Sequence, residues 1–298
     1  MTSVRRPDSR APAVAAVIPH LDRIPDTAAC CRALAAQTLP LAGIVVVDNG
    51  STAHAPEELA AACPAARILR LDENRGFAGG VNAGIRAALA QPEIEFIWVL
   101  NNDTAAAPDA LETLAAAAAA DPRIGLVGCP LLEGTEDAGR RRVPPGKKLR
   151  GPWAIPVFPK AGERPDYLSG ACLLIRREAL DDVGLFDEGF FFFFEDADFS
   201  RRFLGRGWRL AVAENAQVEH RGSATICRMS ELQARAYRAG HVRYLRKYAR
   251  HPFWGALPPF LARLALDALR GNGAAIRGNG RGWRQAWQAP RPGAPAAT

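Results

Sequence analysis

Residues 44–51 read Ile-Val-Val-Val-Asp-Asn-Gly-Ser, four β-branched side chains running without a break into a carboxylate and a turn. β-Branched residues suit a pleated, half-buried backbone. An unbroken apolar run is the mark of a strand covered on both faces, as in a parallel sheet. Working outward, Val14–Ile18, Arg67–Leu71, Phe96–Leu100 and Ile124–Cys129 carry similar strand signals. Helical periodicity separates them at Ala28–Gln37, Pro56–Ala62, Gly79–Ala90 and Pro108–Ala120. Strands alternating with helices predict an α/β domain whose Rossmann-like, mostly parallel mixed sheet is flanked by helices. Such sheets bind ligands beyond the carboxyl ends of their strands. At those ends stand Asp48-Asn49-Gly50-Ser51 and Asn101-Asn102-Asp103.

Three further stretches bear on chemistry. Residues 189–202, GFFFFFEDADFSRR, drive phenylalanines straight into Glu195, Asp196 and Asp198. A carboxylate beside an apolar segment costs free energy unless paired, and burial raises its pKa toward that of a useful base. Acidic residues also favour the first turn of a helix, and a helix over 196–205 is predicted, so base and helix-terminal acid are compatible readings. Residues 74–84 set glycines around a helix start, where a backbone can approach phosphate, but the spacing is neither a P-loop nor GxGxxG. Asn101-Asn102-Asp103 offers one carboxylate to Mn²⁺ or Mg²⁺, with diphosphate oxygens completing the shell; a plain turn before a helix is the bland alternative.

Composition sets the outer limits. The chain has 298 residues, a net charge of +7 and a pI near 9.4, which points to anionic partners. The positive excess lies in Arg140–Arg150 and the last third, and aromatics do not interleave with it, which argues against nucleic acid. The cysteines at 30, 31, 63, 129, 172 and 227 form no CxxC pair and read as reduced, buried thiols of a cytosolic protein. No segment reaches the roughly 18–20 apolar residues of a membrane span.

Together the motifs resemble the family 2 glycosyltransferases of the GT-A fold, in particular the bacterial rhamnosyltransferase-like members. The resemblance covers about residues 14–225 and rests on VVVDNGS, NRGFAGGVNAGI, LNNDT, GLFDEGFFFFFEDADFSRRFLGRGW and VEHRGSA, in that order. It implies an inverting, metal-dependent transferase of the EC 2.4 class. Such an enzyme moves a sugar from a nucleotide-diphosphate donor, dTDP-rhamnose by subgroup, to a hydroxyl of a glycan or lipid-linked acceptor in cell-envelope polysaccharide synthesis. By the same resemblance Asp196 is the general base with Glu195 beside it, and Asp103 and His220 are ligands for Mn²⁺ or Mg²⁺. Pro19, Asp48, Asn74, Gly76, Gly79, Asn82, Asn101 and Asn102 line the nucleotide-sugar site, and Arg201 and Arg202 organise the acidic cluster. Two departures stand out. The metal motif is Asn-Asn-Asp rather than Asp-X-Asp, and His20-Leu21 replaces the small-polar/aromatic pair that packs on the base. A non-catalytic nucleotide-sugar or glycan-binding protein is the alternative, and a pure binder needs no base. A sugar-1-phosphate nucleotidyltransferase would carry a basic Gly-rich loop where Pro19-His20-Leu21-Asp22 stands.

The expected organisation is a disordered tail at 1–12, a catalytic domain at 13–225 and a basic, partly amphipathic helical extension at 226–298. Residues 133–166 lose periodicity and read as a long surface excursion, and order returns with a strand over Tyr167–Arg176. Arg243, Arg246, Lys247 and Arg250 form a basic helical stripe, beside a stripe of Tyr237, His241, Tyr244 and Tyr248 that reads as core packing. Residues 253–270 read as an amphipathic helix with Arg263, Asp267 and Arg270 on its polar face. Trp283 and Trp287 suit either a membrane interface or packing on the catalytic domain. The expected location is the cytoplasm, with peripheral contact on the inner membrane leaflet.

Overall fold

The computed structural model describes residues 11–134, 139–160, 162–221 and 230–293. The expected tail therefore lies outside the described residues, apart from residues 11 and 12, and so do Cys227 and residues 222–224 of the VEHRGSA motif. Strand β1 (Val14–His20) leads through α1 (Ile24–Ala35) to β2 (Gly43–Asp48), followed by α2 (Pro56–Ala62), β3 (Arg67–Arg70), α3 (Gly76–Leu89) and β4 (Phe96–Leu100). Next come β5 (Thr104–Ala106), α4 (Ala110–Ala119), β6 (Ile124–Gly128), β7 (Leu131–Glu133), β8 (Arg141–Val143) and β9 (Gly146–Arg150). A 3₁₀ turn at Gly151–Trp153 precedes β10 (Ile155–Val157), β11 (Tyr167–Leu168), β12 (Cys172–Arg176) and α5 (Arg177–Val183). The chain then forms α6 (Glu195–Gly205), β13 (Arg209–Val212), β14 (Val218–His220), α7 (Glu231–Tyr248), α8 (Pro252–Leu269) and α9 (Gly273–Gln288).

The main sheet has the order β13-β6-β12-β4-β1-β2-β3. Strands β3, β2, β1 and β4 are parallel, whereas β12 runs antiparallel to both of its neighbours. The sheet is thus mostly parallel and mixed, as the sequence predicts. Residues along β1 alternate between its two faces: Val14, Ala16 and Ile18 join one apolar cluster, Ala15 and Val17 the other. Helix α3 lies close on the second face because Gly84 abuts Val17 and Val47, where a Cβ would collide. Cys30, Cys31, Cys63, Cys129 and Cys172 are buried free thiols.

Two expectations need correction. The strand predicted over Tyr167–Arg176 breaks at 169–171, so that β11 pairs with β9 while β12 stays in the main sheet. The excursion at 133–166 is in part ordered into strands: β9, β10 and β11 form one small sheet, and β5, β14, β7 and β8 another. Strands such as Gly146-Lys147-Lys148-Leu149-Arg150 carry charge instead of apolar alternation, which is why their sequence shows no period.

The basic stripe of α7 is also not a solvent face throughout. Lys247 Nζ bridges Asp187 Oδ2 at 2.9 Å and Asp198 Oδ1 at 2.6 Å, and Arg243 pairs with Asp187 at 2.9 Å. Arg246 hydrogen-bonds the Ala286 and Ala289 carbonyls. The tyrosine stripe does pack inward, with Tyr237 and Tyr244 against Phe194. Asp198 is fully buried and also takes Arg202 Nε (2.9 Å) and Tyr248 Oη (2.7 Å), so Lys247 completes a closed network. Removing one partner of a buried ion pair typically costs 3–5 kcal/mol. With Arg202 still in place, Lys247→Met is expected to destabilise by about 3 kcal/mol, read from the urea midpoint. An unchanged midpoint would show that the network adds nothing to stability.

Candidate active site

The aromatic run ends in a tight backbone turn. Phe193 and Phe194 both adopt positive φ, 71° and 70°, conformations that are outliers for bulky residues. Strain of this kind persists only where surroundings enforce it. Gly240 of α7 lies against the Phe193 carbonyl with no room for a Cβ, and Phe194 packs under Tyr237 and Tyr244. The turn delivers Glu195 and Asp196 to the first turn of α6, where the helix N-terminus favours negative charge. Both carboxyls therefore occupy the helix-terminal position, which is compatible with the base expected from sequence.

The two carboxyls differ. Glu195 is buried, and its Oε2 finds no hydrogen-bond partner. Burial first, then the neighbouring Asp196 charge, push its pKa well above the usual carboxylate range. Asp196 keeps part of its surface open, and its Oδ1 accepts from the Ala197 N–H at 2.8 Å. Burial pushes it up to about 6, opposed by that hydrogen bond and by the charge of Lys147. Of the two, Glu195 is pushed further toward its neutral form, and Asp196, with its hydrogen bond and the Lys147 charge, is the one better placed to ionise. Arg201 and Arg202 do not hold this pair. Arg202 instead takes Asp198 and the carbonyls of Val183 and Leu185, while Arg201 reaches the Tyr244 hydroxyl and lies over the Tyr248 ring.

Asp103 and His220 are brought together by the small sheet. His220 of β14 is registered between Thr104 of β5 and Glu133 of β7. Its Nε2 lies 3.3 Å from Asp103 Oδ1, and its Nδ1 lies 3.6 Å from Glu133 Oε1. Burial lowers the His220 pKa, but the Asp103 hydrogen bond and charge, joined by Glu133, outweigh it and leave the imidazole above its ordinary value. Glu133 was not among the residues singled out from sequence. Its only signal is the strand pairing itself, which a single sequence does not display. Oxygen and nitrogen donors converge here, with a carboxylate behind the imidazole, an arrangement that suits a divalent ion.

At the carboxyl end of β2, Asp48 is fully buried, its Oδ1 accepting from Ser51 N–H at 3.0 Å and its Oδ2 lying 3.1 Å from Arg70. Pro19 and His20 end the adjacent β1. His20 Nδ1 contacts Thr27 Oγ1 at 2.6 Å, and its Nε2 meets His54 Nε2 at 2.8 Å, so the departure at position 20 builds a histidine pair beside Asp48. Burial brings His20 down to about 4. His20, Asp48 and His54 form a second cluster of metal-ligating types, but these donors are already engaged with one another and with Thr27, Ser51 and Arg70. His54 was also unforeseen.

The glycine segment is closely packed against its neighbours. Gly76, at φ 70°, sits against the Phe191 carbonyl, where no Cβ fits. Gly79 lies against Arg75 and Glu188. Asn74 Oδ1 accepts from Gly76 N–H at 2.9 Å, tying the start of α3. Asn82 spends its amide on Phe186 and Glu188 at 2.9–3.0 Å and is a strut between α3 and the loop before the aromatic run, not a lining residue. Asn102 donates to Thr27 Oγ1 at 3.0 Å, and Asn101 Nδ2 lies 3.3 Å from His220 Nε2.

A cavity of about 810 Å³ joins these parts; Asn101, Glu133, His220, Glu195 and Asp196 all line it. Helices α7 and α8 close its far side through Tyr237, His241, Pro259 and Leu266.

Comparison with known proteins agrees with this geometry. The family described as "Glycosyl transferase family 2" matches residues 15–184. The chain is 30% identical over 229 residues to an N-acetylglucosaminyl-diphospho-decaprenol L-rhamnosyltransferase of Mycobacterium tuberculosis, covering 68% of this chain and 72% of that protein. It is 29% identical over 174 residues to the low-salt glycan biosynthesis hexosyltransferase Agl10 of Haloferax volcanii, covering 54% and 53%. Among solved structures, the mannosyltransferase PcManGT of Pyrobaculum calidifontis, in complex with GDP-Man and Mn²⁺, superposes with a TM-score of 0.54 at 20% identity, covering 94% of this chain and 81% of that one. At that identity the likeness is one of fold, the GT-A type.

Proposed function

The chain belongs to glycosyl transferase family 2, and we propose that it transfers one sugar from a nucleotide-diphosphate donor to a hydroxyl of a lipid-linked glycan in cell-envelope polysaccharide synthesis, inverting the anomeric centre. The observation that carries this reading is that one cavity is lined both by Asp196, an ionisable carboxylate on a helix N-terminus, and by His220, which faces Asp103. The Mycobacterium tuberculosis relative makes a rhamnosyl donor the first to test, and its acceptor makes a prenyl-diphosphate-linked sugar the natural acceptor class.

Asp103 and His220 would hold Mn²⁺ or Mg²⁺, and Glu133 would fix the imidazole with Nε2 turned toward the ion. An ion held by these residues would supply charge neutralisation for the leaving diphosphate. Asp48, at the strand end next to His20 and Pro19, is placed to accept from the base or ribose. Asn101 and Asn102 position the loop that carries Asp103. Asp196 accepts the proton of the attacking hydroxyl, and because attack comes opposite the leaving group, no covalent intermediate on the protein is required. Glu195, pushed toward its neutral form by burial, limits the negative charge beside the base. The C-terminal extension, 226–298, supplies the acceptor side of the cavity and peripheral contact with the inner leaflet; no described helix is long and apolar enough to cross a membrane.

The test is nucleoside-diphosphate release from a panel of nucleotide sugars, dTDP-rhamnose first, with and without Mn²⁺. Metal-dependent release from one donor supports the reading. Donor binding without release, even with prenyl-diphosphate-linked sugars present, would point to a non-catalytic binding protein.

A further inference from the structure

Helix α8 is amphipathic in the reverse of the usual sense. Asp267, expected on its solvent face, is 1% exposed and accepts from Arg263 Nε (2.9 Å) and Asn279 Nδ2 (3.2 Å), because α9 supplies it with a partner. Trp254, Leu261 and Leu269 face outward instead, at 68%, 54% and 87% exposure. The tryptophans that suit either a membrane interface or packing on the catalytic domain are half-buried against α8: Trp283 stacks on Phe260 at 4.4 Å, and Trp287 lies 5.8 Å from Phe253. A second apolar rim, Trp153, Ile155 and Phe158, is also exposed.

The catalytic cavity opens between these two rims. Pro259, Ala262 and Leu266 of α8 form one wall, and Ile155, Phe158 and Phe192 the other. Within it stands Lys147, its Nζ 5.4 Å from the Phe158 ring centroid, with no carboxylate at ion-pair distance among the described residues. Arg141 lines the same cavity but is paired with Glu133 at 4.0 Å, so of the two Lys147 is the lining cation without an ion pair among the described residues. A soluble oligosaccharide would need polar groups along such walls. A hydrocarbon chain joined to a compact anion matches apolar walls that hold such a cation.

We propose that this half of the cavity is the subsite for a prenyl diphosphate. Lys147 takes the diphosphate, and the walls from Ile155 to Leu266 take the first isoprene units. The rest of the chain leaves over Leu261 and Leu269 toward the leaflet. The acceptor sugar then lies between Lys147 and Asp196. This deepens the glycosyl-transfer reading and rests on it.

The test titrates the purified full-length chain with farnesyl diphosphate, farnesol and inorganic pyrophosphate, followed by tryptophan fluorescence and calorimetry. Farnesyl diphosphate is expected to bind at least about tenfold more tightly than either fragment, since it engages both walls and cation. Lys147→Gln is expected to erase the preference for diphosphate over alcohol, and Leu266→Glu the preference for farnesyl diphosphate over pyrophosphate. Melting temperatures confirm that both variants fold. Equal binding of diphosphate and alcohol, or preferences untouched by either variant, would overturn the subsite. Nucleoside-diphosphate release by the wild type separates the two ideas: intact release without prenyl selectivity refutes only the subsite, and absent release with every donor refutes the reading beneath it.

Discussion

Asp196→Asn is expected to lower the turnover number for sugar transfer by about 10²- to 10⁴-fold, the usual worth of a positioned general base, with donor affinity close to that of the wild type. Asparagine keeps the size of the side chain and an oxygen for the Ala197 N–H, so the first turn of α6 should survive. What it loses is the ability to accept a proton. The wild-type rate should fall as pH drops through about 6, because burial holds the Asp196 pKa there and only the ionised form is a base. The variant should lose this acid limb. The stability consequence has the opposite sign. A carboxyl whose folded pKa is raised contributes stability below its unfolded pKa and loses it as pH climbs through about 6. At pH 7 the amide should therefore melt no lower than the wild type. A fully active variant with an unchanged pH profile would assign the base to another group.

The second large effect concerns the ion. Asp103→Asn is expected to raise the Mn²⁺ concentration needed for half-maximal donor turnover by at least about 10²-fold, more than a supporting residue usually commands. Asp103 is the one carboxylate of its motif, so a neutral amide leaves His220 without an anionic companion. Glu133→Gln should cost less, about 10- to 100-fold, because Glu133 stands behind the imidazole. A metal titration of diphosphate release distinguishes them. Equal half-saturation in wild type and Asp103→Asn would move the ion elsewhere, with the His20–Asp48–His54 cluster as the next place to look.

Much of this arrangement was legible along the chain. The β-branched run 44–47, the buried-type strands at 14–18 and 96–100, and the helices between them give the sheet, because strand and helix periods are local properties. Asp48, Asp103 and Asp196 were legible for a related reason, since each lies within three residues of the end of an apolar or aromatic run, which must lie at a sheet edge or cleft. Other readings failed where local chemistry had two uses. The glycines of 76–84 looked like a phosphate cradle, but Gly76 and Gly84 make room for Phe191 and for Val17 and Val47. Asn82 looked like a lining residue and is a strut. The basic stripe of α7 showed only its helical spacing, yet Lys247 serves the half-buried Asp187 and the buried Asp198.

By itself, then, the sequence determined the class of fold, the order of its elements and the carboxylates at their ends, all of which follow from the preferences of neighbouring residues. Only the tertiary structure decided that Glu133 stands behind His220, that His54 meets His20, that Asp267 turns inward and Leu269 outward, and that α8 roofs the cavity holding Asp196. Each of those depends on pairing between segments far apart in the chain. Register and burial there are set by the lowest free energy of the assembled whole, for which no local run of residues carries a signal.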